Sequence, residues 1–403
     1  MKILKYLIFS FLVTFCTSCQ KSTEPIENDK PPTGYQEDIP WPSLANSPWP
    51  MNHHDPQNTG RSKEVGPNLG IIDWSLEPYD LETGISLGPD STIYFTYGKL
   101  FAHALDGTEK WSIDLSRFAF SVSTPIIASD GTIYTTAQSK LIAISPDKTI
   151  KWEFVANSYI GWMINLGIDG IIYILDRNST LYAISPSGEL IWQYSDARFI
   201  INDYSGISFS PDGNTLYIPG ITCSVIAFNV QSQSVDWVFG DIKMFNPPVI
   251  DSDGNIYLLP KYEYLGSEKG QFYSLNKNGE IRWIFEFNYE VSYFHANTPT
   301  IDKEGNIYFA TDTLYSLDYF GNLNWKAGLD GFSECPLVCD VNSNIYVGTM
   351  SSFNFVGIFQ FDSNGNLNWQ IIDNQDQIGG SPALGFNRLI FPTGKSTKIY
   401  GIK

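Results

Sequence analysis

The sequence is short of positive charge. Lys and Arg number 25 against 43 Asp and Glu in 403 residues, a formal net charge of -18. Polyphosphate backbones are held by clustered Lys and Arg, so a surface of this sign excludes nucleic acid as a partner. Histidine is scarce too, at four residues, and His53-His54-Asp55 is the run that raises the question of a metal. Neighbours on an extended chain point apart, which weakens that reading. Cysteine is sparse in the body of the chain, where Cys223, Cys335 and Cys339 form no Cys-x-x-Cys. On a strand, Cys335 and Cys339 would share a face yet lie roughly 13 Å apart, beyond the reach of a disulfide, so buried thiols are expected. No Gly-x-x-x-x-Gly-Lys-Ser/Thr phosphate loop is spelled.

Long apolar runs are missing with one exception. "YLIFSFLVTF" from Tyr6 follows Met1-Lys2-Ile3-Leu4-Lys5 and ends at Cys16. A basic start and so short a run read as a secretory signal over residues 1–18 rather than a spanning helix. Thr17 and Ser18 before Cys19 resemble the bacterial lipoprotein cleavage box. That resemblance implies lipidation of Cys19 and a place at the outer membrane, periplasmic or surface-facing. Cys16, preceded by bulky Phe15, is the poorer site. Several acyl chains anchor firmly where one alone binds marginally. Residues 19–46, polar and proline-bearing, are expected to be a flexible tether.

What the chain has in abundance is a repeat. "STPIIASDGTIYTTA" from Ser123 is echoed by "INLGIDGIIYIL" from Ile164, "ISFSPDGNTLYIP" from Ile207, "TPTIDKEGNIYFAT" from Thr298 and "PLVCDVNSNIYVGT" from Pro336. An Asp-Gly-type turn before alternating β-branched and aromatic residues is a strong hairpin signal. In "IDSDGNIYLL" from Ile250, Asp251, Asp253 and Asn255 stand around a glycine as in a calcium loop. The glycine comes two residues early, however, and the twelfth position is Tyr262. A turn without high-affinity calcium is expected there.

Eight tryptophans, Trp74, Trp111, Trp152, Trp192, Trp237, Trp283, Trp325 and Trp369, recur at separations of 37 to 46 residues. A period of about 40 residues holding four strand-like runs indicates a β-propeller blade. The last unit, from Ser381, supplies three strands and stops at Lys403, while an unmatched strand, "GIIDWSL", stands at Gly70. A closed ring leaves no open sheet edge, so that strand is assigned to the last blade. The expected fold is all-β: an eight-bladed β-propeller of four-stranded antiparallel blades over 47–403, with 47–69 as a lead-in.

Ala227, Asn229 and Trp237 in "AFNVQSQSVDW", together with "SPWPMNHHDPQNTGRS" from Ser47, resemble the pyrroloquinoline-quinone-type repeat propellers. These include the propeller lipoproteins of the outer-membrane β-barrel assembly machinery. The resemblance implies that the eight tryptophans dock between blades. For a quinone-dependent dehydrogenase it would also imply a vicinal Cys-Cys pair and a calcium held by Glu, Asn and Asp. The chain has no vicinal Cys pair, and neither catalysis nor a cofactor nor a metal is expected.

Function is expected on the variable loops opposite the short turns, because loops on a rigid scaffold carry recognition. That face gathers Phe118, Phe120, Tyr159, Trp162, Arg198, Tyr204, Phe294, His295, Glu334 and Asp376. Aromatic rings interleaved with a few polar groups suit a protein or sugar-binding surface. The plainer alternative is that some of these rings plug the central channel. Three readings stay open: a non-catalytic scaffold for membrane or envelope proteins, capture of glycans, and a quinone-dependent dehydrogenase.

Overall fold

The repeated turns fix the inner hairpins. Gly131, Gly170, Gly213, Gly254 and Gly305 all take a positive φ, between 72 and 86°, a region that costs other residues energy. The strands on either side pair antiparallel. The structure is a computed structural model. It describes residues 32–403 apart from 78–82, 116–122, 162–163, 200–205, 221, 242–243, 245, 261–268, 289–296, 334, 351–355, 374–376, 379 and 395–397. Cys19 lies outside the described residues.

Eight antiparallel sheets follow one another as blades. The first contains Ser86–Leu87, Ile93–Thr96, Lys99–His103 and Glu109–Asp114, and the next six repeat that order from the inside outward. The eighth is made from both ends of the chain. Ile72–Leu76 pairs with Ile399–Ile402, which pairs with Arg388–Gly394, and that strand pairs with Ala383–Gly385. Gln377–Ile378 adds a further short strand. The expected eight-bladed ring, closed by an N-terminal strand, is the observed one.

Inner strands are buried throughout, whereas the outer strand alternates. Thr180–Ile184 is buried along its length, and Leu190–Ser195 exposes every second side chain or more. Across each of the first seven blades a tyrosine of the second strand meets the tryptophan of the fourth, with ring centroids 5.8 to 6.0 Å apart.

The tryptophans also join blade to blade. The indole N–H groups of Trp74, Trp152, Trp237, Trp283 and Trp325 donate to the carbonyls of Leu105, Pro186, Lys277, Tyr319 and Ser363 in the next blade, at 2.7 to 3.2 Å. Each ring then covers a glycine two residues further on. A Cβ at Gly107, Gly188, Gly279, Gly321 or Gly365 would fall 2.5 to 3.0 Å from the ring. Trp369 donates to Pro67 instead, at 3.3 Å. Trp111 lies beneath the Lys148 ammonium, 5.7 Å from the ring centroid, where lysine takes the glycine's place at a φ of 71°. Trp192 packs on Phe228, at 5.8 Å.

The folded unit begins at Gly34, earlier than the sequence reading placed it. Within the stretch read as tether, Trp41 donates its indole N–H to Leu166 at 2.8 Å, and Ala45 donates to Ile127 at 2.9 Å. Trp41 and Leu44 are buried. Polar composition hid these few apolar anchors.

Candidate functional site

The lead-in forms a belt around the inner edges of the blades. An innermost strand has one side unpaired, and its backbone groups need partners once buried. The belt supplies them in blade order. Leu87 N–H donates to Trp49, Ile127 to Pro50, Phe209 to Pro56, Ile250 to Gln57, Ile301 to Thr59 and Cys339 to Gly60, at 2.7 to 3.2 Å. In the third blade the Asn165 side chain bridges the gap, donating to Pro56 at 3.1 Å while its oxygen accepts from Leu166 N–H at 2.8 Å. The Ser62 hydroxyl reaches Leu384 of the eighth blade at 3.3 Å. All eight blades are thus touched by residues 49–62, on the side of the disc where the short inner hairpins turn.

So tight a path strains the backbone. His53, His54 and Asn58 have φ values of 53, 79 and 55°, left-handed without being glycine. Such conformations cost about 1–3 kcal/mol each and persist only where the surroundings over-determine them. His53 is over-determined by two carbonyls: Asn58 O lies 2.6 Å from Nδ1 and Leu337 O 2.8 Å from Nε2. Burial lowers the His53 pKa, and the two carbonyls oppose that effect. Gly60 is obligatory, because a Cβ there would meet His53 Nε2 at 2.5 Å.

His54 points elsewhere. Its Nδ1 meets the Asp55 carboxylate at 3.0 Å, and its ring packs edge-on against Trp49. Burial would push the Asp55 carboxyl up, but the bonds from His54 and from the Thr59 hydroxyl and N–H outweigh it and hold Asp55 below the ordinary carboxylate range. His54, Asp55, Gln57, Thr59, Arg61 and Lys63 then line a pocket of about 40 Å³, closed on the other side by residues 36–39 and Ser252. Sequence reasoning considered the His-His-Asp run as a metal ligand set and missed this pocket, whose outer wall comes from the supposed tether.

The Asp251 turn is filled by hydrogen bonds. Oδ1 accepts the N–H groups of Asp253 and Asn255 at 3.0 and 2.7 Å, and Oδ2 accepts Asn255 Nδ2 and the Tyr257 hydroxyl at 2.8 and 2.9 Å. Burial raises the Asp251 pKa despite those bonds. Asp302 and Asp340 repeat the arrangement with Asn306 and Tyr308 and with Asn344 and Tyr346. These carboxylates organise turns. Among the described residues, no three His, Cys, Asp or Glu side chains gather as metal ligands. Cys223, Cys335 and Cys339 are buried and form no disulfide among the described residues, and burial pushes the Cys339 thiol well up.

Gly84-Ile85-Ser86-Leu87-Gly88 has the spelling of a serine-hydrolase elbow. Ser86 is wholly buried on an innermost strand and donates to Pro125 of the next blade, as Ser208 does to Pro248. That serine joins blades.

Of the loop-face candidates, Tyr159 and Arg198 are described. Tyr159 is 44% exposed, with the Arg177 guanidinium 5.5 Å from its ring centroid. Arg198 is held by its own loop: Nε donates to both Asp196 oxygens, at 2.9 and 3.1 Å. Much of its charge is thereby engaged within the loop. Phe118, Phe120, Trp162, Tyr204, Phe294, His295, Glu334 and Asp376 lie outside the described residues.

A family model described as outer membrane protein assembly factor BamB matches residues 59–284, more than half of the chain. No curated protein matches. Among solved structures, BamB from Moraxella catarrhalis is 13% identical, with 83% of this chain and 100% of that one covered at a TM-score of 0.61. A europium-containing methanol dehydrogenase is also 13% identical, with 88% and 90% covered at a TM-score of 0.62. At such identity both likenesses speak for the fold alone.

Proposed function

This chain belongs to the family described as outer membrane protein assembly factor BamB, and from that premise we propose that it is a non-catalytic, lipid-anchored scaffold for protein partners at the bacterial outer membrane. The belt is the observation that carries the reading. With the inner edges of all eight blades occupied on the turn side, recognition is directed to the opposite face and the rim, which suits a broad macromolecular contact. On that face Tyr159, Arg198 and the aromatic loop residues named from the sequence are the contact candidates. Cys19 is the proposed lipid attachment point, and the folded unit starting at Gly34 leaves a short polar stretch between the two.

The methanol dehydrogenase likeness favours no second reading, because the cysteines of the propeller are isolated, buried thiols and no vicinal pair exists. Affinity capture from detergent-solubilised outer membranes tests the scaffold. Wild type is expected to retain a β-barrel membrane protein, and a Tyr159→Ala, Arg198→Ala double variant of unchanged melting temperature to lose it. Wild type retaining no membrane protein would overturn the proposal. In the same preparations Cys19→Ser should move to the soluble fraction, and membrane retention of that variant would refute the anchor.

A further inference from the structure

We propose that the pocket between residues 36–39 and 54–63 is a binding site for a single carboxylate group, with Arg61 as its principal donor. Arg61 is a buried cation with few partners among the described residues. The Arg61 side chain is 9% exposed and carries five N–H donors. Among the described residues its side chain makes two long hydrogen bonds to neutral carbonyls, NH1 to Asp302 at 3.2 Å and NH2 to Glu37 at 3.4 Å. The nearest carboxylate is Asp38, 45% exposed and 3.7 Å away, an ionic contact beyond hydrogen-bond length. A guanidinium withdrawn from water needs an anion in bidentate geometry to offset its desolvation. Asp38 does not supply that geometry.

The other walls carry both signs, with Glu37, Asp38 and Asp55 beside Lys63. Lys63 Nζ stands 3.5 Å from the far oxygen of Asp38, so one half-exposed carboxylate is shared by two cations. Asp55 also lines the pocket, but its oxygens are taken by His54 and Thr59. With Nδ1 on Asp55, the Nε2 of His54 has no hydrogen-bond partner among the described residues. A volume of about 40 Å³ has room for a carboxylate head, the group that complements Arg61. The ligand is therefore a small organic acid, or an acidic side chain protruding from a polypeptide.

The inference is independent of the assembly reading, and its test needs no partner. The four histidines make ring NMR signals assignable. Acetate and the capped tripeptide Ac-Gly-Glu-Gly-NH2 would be titrated against the whole protein, with acetamide as the neutral control. A saturable shift of the His54 ring signals with acetate or tripeptide, absent with acetamide, is expected. The stronger of the two ligands identifies the source as free acid or polypeptide. Arg61→Gln should weaken binding on the order of tenfold or more. Should Arg61→Gln fail to fold, the rim variant Lys63→Gln, at a side chain 58% exposed, should still weaken it severalfold. No saturable shift with either acid would overturn the proposal, as would an equal response to acetamide, or affinity unchanged in a folded Arg61→Gln or, failing that, in Lys63→Gln.

Discussion

Two glycines with the same backbone and different surroundings isolate the contribution of the tryptophan clasp. Gly254 and Gly321 have φ values of 83 and 84°. A Cβ on Gly254 would find its nearest atoms 3.7 and 3.8 Å away, ordinary contact, whereas one on Gly321 would lie 2.5 Å from Trp283 Cδ2. Alanine at either position carries the left-handed penalty of roughly 1–2 kcal/mol. At Gly321 the indole must also move. That breaks its bond to Tyr319, 3.1 Å long and worth about 1 kcal/mol, and disturbs its stack on Phe272, worth about 0.5–1.5 kcal/mol. Gly321→Ala should therefore cost about 2 kcal/mol more than Gly254→Ala. Paired thermal melts and urea unfolding followed by tryptophan fluorescence would show it as a transition several degrees lower for Gly321→Ala. If the two variants melt together, the tryptophan is not what holds neighbouring blades, and the argument fails.

Asp251→Ala would remove the acceptor of the Tyr257 hydroxyl proton, of one Asn255 amide N–H and of two backbone N–H groups, while Tyr319 and Arg282 would still bond Asn255 and Tyr257. A clear fall in melting temperature is expected, corresponding to about 2–4 kcal/mol, with calcium leaving the wild-type melt unchanged; a calcium-dependent rise abolished by Asp253→Ala would refute the turn reading. Acid should also destabilise the fold. For Asp90, Asp130 and Asp212 burial raises the carboxyl pKa, but hydrogen bonds from Ser, Thr, Asn and backbone N–H groups outweigh it and the net shift is downward. Their stabilisation is present above the unfolded value near pH 4 and is lost as pH falls through the lower folded value. Asp251 and Asp302, raised by burial, act in the opposite sense, their contribution being complete at low pH and lost as pH rises through the folded value. Depressed aspartates outnumber raised ones, so the melting temperature should drop below about pH 4; a flat or rising profile from pH 5 to 3 would contradict this.

Blade number and ring closure were legible because they are written in short range. A tryptophan, an Asp-Gly or related turn and an alternating run recur from unit to unit, and a three-strand remainder at the C-terminus matches a lone strand at Gly70. The belt was not legible. Trp49, Pro50, Pro56, Gln57 and Thr59 have no periodicity, since each meets a different blade, and a path set by eight separate partners leaves no pattern in its own sequence. For the same reason the pocket escaped notice. Asp38 and Arg61 sit in unrelated-looking stretches, and the burial that makes Arg61 informative is invisible before folding. His53 and His54 were noticed as a pair, yet their left-handed backbone sends one ring to Leu337 and the other to Asp55.

One N-terminal stretch closes the ring twice, inside and out. Residues 49–62 pair with the innermost edges of the blades, and Ile72–Leu76 becomes the outermost strand of the eighth. Asp73 fastens that strand through ion pairs to Arg388, 2.8 Å away, and to Lys403. These partners are more than 300 residues apart in the chain, so the outer closure needs the last blade, and contacts of such separation are slow to form. Until then Ile72–Leu76 has no partner strand, the exposed-edge state that invites wrong association. The belt's hydrogen bonds to all eight blades are available together only in a finished disc. The recognition surface proposed for the opposite face would then stand on a ring whose turn side its own chain already occupies.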